Sequence, residues 1–355
     1  MQKKALVVGV SGVIGQALSA HLMAEGWTVH GLSRGRTEVP AGCIGITADL
    51  TDAAAIASAI GGLDVKHVFF NAWARQANEK ENIRVNGAMV SNVLDAVGPS
   101  LRGGHAALVT GLKHYLGPFE AYGTGDVPLT PFREEQGRQA VDNFYYEQED
   151  RLFEAAARHG FSWSVHRPHT IIGYAVGNAM NMGVTLGVYA TLCKASGQPF
   201  VFPGSRQQWE GLTDVTDARL LARHLAWAAT SERAKNEDFN VVNGDVFRWQ
   251  WLWPRLAEYF GIEAAPFEGV VRPLAERMAS APAEWKLIAE RQGLKEPNIE
   301  KLVSWWHTDA DLGRPMEVLA DMTKSRKAGF LDYQSTPDSF FELFERLKAE
   351  RITPA

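Results

Sequence analysis

Two short stretches concentrate the side chains able to do chemistry. The first, Gly111-Leu112-Lys113-His114-Tyr115-Leu116-Gly117-Pro118-Phe119, carries an ammonium, an imidazole and a phenol. The second, Asn143-Phe144-Tyr145-Tyr146, adds two phenols. A phenol O–H can hydrogen-bond an oxygen that gains negative charge, and a fixed cation nearby favours that role. Each residue also has a plainer reading: Lys113 as a solvated loop lysine, Tyr145 as a core or helix-surface tyrosine. Of Tyr145 and Tyr146 only one can face a common target, because successive helical positions point about 100° apart. The choice depends on the element that would bring a ligand beside them.

That element lies near the N-terminus. Ala5-Leu6-Val7-Val8 is the aliphatic run of a buried parallel strand. Gly9-Val10-Ser11-Gly12-Val13-Ile14-Gly15 follows, and Ala17, Leu18, His21 and Leu22 continue at helical spacing toward Gly26. In a strand, glycine turn and helix, the first glycine makes the turn and the second lets backbone N–H groups approach a pyrophosphate. The third lets the helix pack on the strand. The next strand, residues 27–32, runs into Ser33, Arg34, Gly35 and Arg36. A carboxylate there would hold a ribose 2′-hydroxyl, whereas hydroxyl and guanidinium groups suit a 2′-phosphate, so NADPH is the expected cofactor.

Strands are then expected from residue 44 into an acidic turn ending at 52, and near 68–70, 106–110 and 162–166, each beside a helical pattern. Asp49 and Leu50 lie in that turn, next to an N-cap for a helix over 52–60. Asn71, Ala72 and Trp73 stand at the carboxyl end of the second, where open parallel sheets bind ligands. Lys113 comes just past the third, and residues 143–159 read as a helix. The fold class is therefore α/β, an NAD(P)-binding Rossmann fold with a doubly wound parallel sheet. It is expected over residues 1–173, with 200–245 returning to the sheet. A smaller, mostly helical substrate lobe is expected from 174–199 and 246–355. Most of the 11 tryptophans fall in the second half, which points to a broad apolar surface there.

Bulk properties narrow the partners. With 46% hydrophobic and 22% charged residues the 355-residue chain can bury a large core. A net charge of -5 without a basic run argues against nucleic acid and anionic membranes. Cys43 and Cys193 alone make neither a disulfide framework nor a metal site, and no apolar run reaches membrane-spanning length. The expected setting is cytoplasmic, with a small molecule as partner and no metal.

The glycine spacing resembles that of short-chain dehydrogenases and reductases, whose usual Tyr-x-x-x-Lys pair is missing: Glu149 follows Tyr145 at that distance, and Asp150 follows Tyr146. The pieces Gly111-x-Lys113-His114-Tyr115-x-Gly117-Pro118-Phe119, Asn143-Phe144-Tyr145-Tyr146-x-x-Glu149-Asp150 and Trp163-Ser164-Val165-His166-Arg167-Pro168 instead resemble the progesterone 5β-reductase and iridoid synthase family. The resemblance implies an NADPH-dependent reductase of the C=C bond in 1,4-enones or enals. Lys113 and Tyr145 would be the catalytic pair, and Trp73, Phe119 and Tyr145 would touch substrate. Cofactor contacts carried over residue by residue are Gly9, Ser11, Gly12, Val13, Ile14, Gly15, Ser33, Arg34, Asp49, Leu50, Ala72, Val109, Lys113, Tyr145, Ile171, Asn178, Ala179 and Met180. His114 and Tyr115 would anchor the loop, and His166 would be a packed histidine. His169 departs from the family pattern, where plant members carry glycine, and would crowd or polarise the pocket. Dimers are common in the superfamily, so a homodimer is a further expectation. The competing readings are a non-catalytic NADPH-binding sensor or scaffold, and an extended-type carbonyl reductase or epimerase.

Overall fold

The computed structural model describes residues 3–35, 38–118, 128–178 and 180–355. Arg36, Phe119 and Ala179 lie outside the described residues. The chain opens with β1 (Lys4–Val8), α1 (Val13–Ala24), β2 (Thr28–Ser33), β3 (Ile44–Thr47), α2 (Ala53–Ile60), β4 (His67–Phe70) and α3 (Glu79–Leu101). It continues through β5 (His105–Val109), α4 (Lys113–Leu116), α5 (Phe144–His159), β6 (Ser162–Pro168), β7 (Ile171–Ile172) and α6 (Met182–Ser196). After β8 (Phe200–Val201), α7 (Arg206–Glu210) and β9 (Thr216–Asp217) come α8 (Ala218–Ala228) and β10 (Glu237–Val241). The remainder is α9 (Trp249–Phe260), β11 (Ala264–Ala265), α10 (Leu274–Arg277), α11 (Ala281–Gln292), α12 (Trp305–Leu312), α13 (Thr323–Ala328) and α14 (Thr336–Ala349).

Seven strands form one parallel sheet in the order β10-β6-β5-β4-β1-β2-β3. The order reverses between β1 and β4, and at such a switch point the two flanking loops diverge and leave a crevice at the carboxyl ends. Period-two alternation sends Leu6 and Val8 of β1 to one face, against α2, α3 and α5, and Ala5 and Val7 to the other, against α1 and α8. Asp52 caps α2, accepting from the Ala55 N–H at 3.0 Å. Within the 200–245 stretch, β10 pairs in parallel with β6 and so joins the sheet.

A separate apolar cluster gathers α6, α9, α11 and α14. Here the tryptophan expectation needs correction. Trp249, Trp253 and Trp285 are fully buried, with Trp253 stacked on Phe200 at 4.1 Å and its indole N–H donating to the Phe200 carbonyl. They pack this cluster from within instead of lining a binding surface, because a helix periodic in large aromatics buries them against its neighbours.

Behind the sheet runs a chain of buried polar groups. His105 contacts Ser162 and Ser164, Ser164 contacts His166, His166 contacts His224, and His224 contacts Ser325, all at 2.8–3.0 Å. His166 is thus a packed histidine whose two ring nitrogens are both engaged. Burial, with lesser contributions from neighbouring positive groups, holds His105 down to about 3; burial alone does the same for His224, and His166 also lies well below the ordinary value. The unfolded chain protonates these groups near pH 6.5, the native chain only far lower, so their stabilisation is whole above 6.5 and fades as pH falls. For His224 the loss between pH 6.5 and 5 is about 2 kcal/mol. Urea unfolding at pH 7 and pH 5 should therefore show a smaller acid penalty in His224→Gln than in the parent chain. Equal penalties would mean that this imidazole is not held neutral.

Candidate active site

The glycine turn shows why the sequence needs glycine where it has it. Gly9 takes a φ of +81°, and a Cβ on Gly15 would come within 2.3 Å of the Gly9 carbonyl oxygen. α1 therefore starts directly on the end of β1. Its N-cap, Gly12, has no side chain to satisfy the first amides of the helix, which leaves them for an anion. This turn forms one wall of a cavity of about 770 Å³.

The same cavity collects what the sequence singled out. Gly9, Ser11, Gly12, Val13, Ile14 and Gly15 line it from the turn, Ser33 and Arg34 from the end of β2, and Asp49 and Leu50 from beyond β3. Ala72 and Trp73 follow β4, Val109 and Lys113 frame the end of β5, and Tyr145, Ile171, Asn178 and Met180 complete the set. Several groups there have the chemistry to hold a dinucleotide. Asn71 Oδ1 and Thr110 Oγ1 line the cavity and are buried without a partner in the protein. β2 ends without a carboxylate, in Ser33, which accepts from the Gly35 N–H at 3.2 Å, and exposed Arg34. These features fit a pyrophosphate on the turn, a ribose between β4 and β5, and a charged adenosine end at β2.

Lys113 and Tyr145 come from different elements, and one side chain ties them. Asn143 donates from Nδ2 to the Lys113 carbonyl at 2.7 Å and accepts at Oδ1 from the Tyr145 N–H at 3.0 Å. The Phe144 N–H next to it donates to Glu79 at 2.7 Å. The stretch expected as a plain loop is a buried single helical turn, α4. Besides Asn143 on Lys113, Tyr146 O–H donates to the His114 carbonyl at 2.6 Å and Gln139 donates to that of Tyr115. The Tyr115 hydroxyl donates to Asn240 at 2.8 Å on β10, and its ring stacks on Phe132.

These bonds separate the two neighbouring phenols. Tyr146 is consumed as an anchor, its hydroxyl donating to His114 and accepting from the Gln139 N–H, and burial raises its pKa. Tyr145 faces the cavity. A Cβ on Gly111 would lie 3.3 Å from its hydroxyl, so the phenol passes across the bare backbone two residues before Lys113. The Lys113 ammonium sits 5.1 Å from the Phe144 ring centre and 5.8 Å from that of Trp73, and these two rings stack at 5.5 Å. Buried to within 8% of full enclosure, it is a fixed cation on an aromatic floor.

The position four residues after Tyr145 holds Glu149, buried and bonded to Arg138 at 3.0 Å and to Arg167 at 3.3 Å, with His114 at 3.6 Å. Burial works against its charge, yet the adjacent His114 ring and the charges of Arg167 and Arg138 keep its carboxyl below the ordinary range. No lysine could replace it there without breaking that network.

Other lining residues escaped the sequence reading. His307, Asp311 and Arg314 reach the cavity from α12 and just beyond it. Their spacing of four and three was the available signal, since it puts all three on one helical face, but the adjacent Trp305 and Trp306 drew the stretch into the apolar lobe. His169, the departure noted in the sequence, lines the cavity between Asp214 at 2.7 Å and Arg314 at 2.6 Å. Trp73 is the one tryptophan among the described residues on the wall.

Sheet order, glycine turn and a phenol–ammonium pair in one crevice define a dinucleotide-binding oxidoreductase of the short-chain dehydrogenase/reductase type. Solved structures agree on the fold. A UDP-glucose 4-epimerase from Thermotoga maritima aligns with TM-score 0.67 at 15% identity over 98% of this chain and 99% of its own. The Bordetella bronchiseptica enzyme WbmG, solved with NAD and UDP, aligns with TM-score 0.68 at 15% identity over 99% and 97%. A family model described as a PRISE-like Rossmann-fold domain matches residues 46–354, and the chain belongs to that family. Among curated relatives, a 3-oxo-Δ(4,5)-steroid 5-β-reductase of Arabidopsis thaliana is 39% identical over 99% of this chain and 93% of its own length. An (S)-8-oxocitronellyl enol synthase of Camptotheca acuminata is 38% identical over 99% and 94%.

The bridging amide makes a prediction. Asn143→Asp keeps the helix cap but replaces the donor to the Lys113 carbonyl with a carboxylate that repels it. The expected loss is about 1–3 kcal/mol in thermal or urea unfolding, larger than any effect on the cap alone. An unchanged midpoint would show that Asn143 does not hold the two elements together.

Proposed function

We propose that this protein is an NADPH-dependent reductase of the C=C bond in activated 1,4-enones or enals. The observation that carries the reading is that Lys113 and Tyr145 line the cavity that begins at the glycine turn, while Asn143 fixes their backbones to each other. The name of one relative, a 3-oxo-Δ(4,5)-steroid 5-β-reductase, supports the same class.

When bound, NADPH supplies the hydride that adds to the β-carbon of the unsaturated carbonyl. The C=C electron pair then moves toward the carbonyl and negative charge collects on its oxygen. Tyr145 O–H donates a hydrogen bond to that oxygen and so stabilises the enolate more than the starting enone. Lys113, buried and held on the Trp73–Phe144 pair, adds a positive field that favours the enolate and strengthens the phenol O–H as a donor to it. The α-carbon takes its proton afterwards from water, which closes the balance of two electrons and two hydrogens. Ser33 and Arg34, at the end of a strand that carries no carboxylate of its own, would hold the 2′-phosphate and select NADPH over NADH.

Following absorbance at 340 nm with 2-cyclohexen-1-one separates the alternatives. Oxidation of NADPH with the enone but not with cyclohexanone is the expected result; binding without turnover across an enone panel would instead indicate a sensor. Tyr145→Phe should lower kcat by about 10²–10³, the usual cost of one oxyanion donor, with little change in NADPH affinity. Full activity in that variant rejects the assigned role. Arg34→Ala should raise KM for NADPH about tenfold or more, as expected for a lost charged contact, and leave KM for NADH nearly unchanged. A parallel rise for both cofactors would remove Arg34 from the 2′-phosphate.

A further inference from the structure

The wall contributed by α12 is unlike the rest of the cavity. His307 and Asp311, four residues apart on one face of that helix, project toward the cavity with Arg314 just past its end. Arg314 donates to His169 Nε2 at 2.6 Å and also to Asp311, whose other oxygen accepts from Thr170 at 2.9 Å. Because His169 Nε2 accepts, its N–H is at Nδ1 and donates to Asp214. Asp214 also accepts from the Ala320 N–H and stands behind His169, outside the cavity lining. Every one of these groups has a partner in the protein. His307 is the exception: its Nδ1 is buried and has none. Leaving a buried ring nitrogen unpaired costs about 1–3 kcal/mol, and a site that accepts that cost in a ligand cavity is built to be completed by the ligand.

The charges around His307 identify what completes it. Burial holds the imidazole neutral; Arg314, Lys113 and Arg75 push in the same direction, and Asp311 opposes them. The Arg75 guanidinium lies 4.0 Å over the Trp306 ring, next to His307 in sequence. In the tautomer that carries its proton on Nδ1 the neutral imidazole is an N–H donor, and with three nearby cations and one carboxylate around it that form favours an anionic oxygen. An apolar ring at this wall would leave Nδ1 unsatisfied and gain nothing from the field.

We propose that His307 hydrogen-bonds a carboxylate on the substrate, remote from the carbonyl that Tyr145 receives, so that the preferred substrates are enones or enals bearing a carboxylate chain. This rests on the reductase reading above and names the substrate class for the same cavity. His307 then fixes the far end of the molecule and sets its register against Tyr145.

The test compares 2-cyclohexen-1-ones that carry an ω-carboxyalkyl chain of increasing length with their methyl esters, in the full chain with NADPH. At the best length the acid should have a KM about tenfold or more below its ester, the value of one charge-assisted hydrogen bond. In His307→Phe that acid-to-ester ratio should fall to near one, and in His307→Gln, which restores a neutral donor, part of it should return. Equal KM values for acid and ester in the parent chain at every length overturn the proposal. So does a ratio that survives His307→Phe. Calorimetric titration of the corresponding saturated keto acid and its ester into the protein with NADP⁺ reads the same discrimination without turnover. If no enone is reduced, the reductase reading fails; the titration still decides whether His307 selects a carboxylate.

Discussion

The site depends on three consecutive backbone carbonyls. Those of Lys113, His114 and Tyr115 each accept a hydrogen bond from a side chain in the approach to α5 or its first turn: Asn143, Tyr146 and Gln139. A four-residue helix has too few internal bonds to hold itself together, since nucleation costs more than one turn returns. α4 persists because its carbonyls are bonded from outside. Those bonds also set the distance from the lysine to the helix bearing Tyr145.

A lysine supplied on the same helix turn as its tyrosine is positioned by helix geometry alone. Here the two side chains approach from separate elements, so their alignment is a tertiary property. The neighbouring elements bear the constraint. Glu79 on α3 accepts from the Phe144 N–H, and Asn82 in turn donates to Glu79 at 2.8 Å. Asn86 bonds both the N–H and the carbonyl of Ala74, fixing the loop that carries Trp73. The aromatic floor under Lys113 and the helix cap beside it are thus referred to one helix, α3, which packs along α5.

The sheet and the glycine turn were legible because their signals are local. The continuous aliphatic run of β1, a glycine at 15 where a Cβ would strike the Gly9 carbonyl, and a capping aspartate before α2 each follow from a few adjacent residues. The pairing of Lys113 with Tyr145 was readable only through the motif pieces, since no spacing rule links residues thirty-two apart. Helical spacing alone left Tyr145 and Tyr146 open; the motif resemblance pointed to Tyr145, and in the structure Tyr146 O–H is bonded to the His114 carbonyl while Tyr145 lines the cavity. The tryptophans misled for a related reason. Aromatic spacing reports which helix face is buried, not whether the burial is against a core or a ligand, and α9 buries Trp249 and Trp253 in a core. His307 and Arg314 went unremarked because Trp305 and Trp306 beside them marked the stretch as apolar, and only the coordinates bring that helix against the cavity.

Moving the lysine off α5 also freed the slot that Glu149 now occupies. That carboxylate joins Arg138 to Arg167, and Arg167 continues to Asp238 on β10 at 2.5 Å, where Lys324 of α13 meets the same carboxylate. Burial opposes the charge on Asp238, and Arg167 with Lys324 outweighs it, so its carboxyl is held below the ordinary range. Removing one member of a buried ion chain leaves its neighbour as an uncompensated charge, a larger cost than the pair's own contribution. The chain runs from the start of α5 across β6 to the sheet edge, and His114 of α4 contacts its first carboxylate. Relocating the ammonium therefore places the loop lysine, the helix tyrosine and the last strand of the sheet under one electrostatic constraint. An enzyme with its lysine four residues after the tyrosine has no room at that position for such a link.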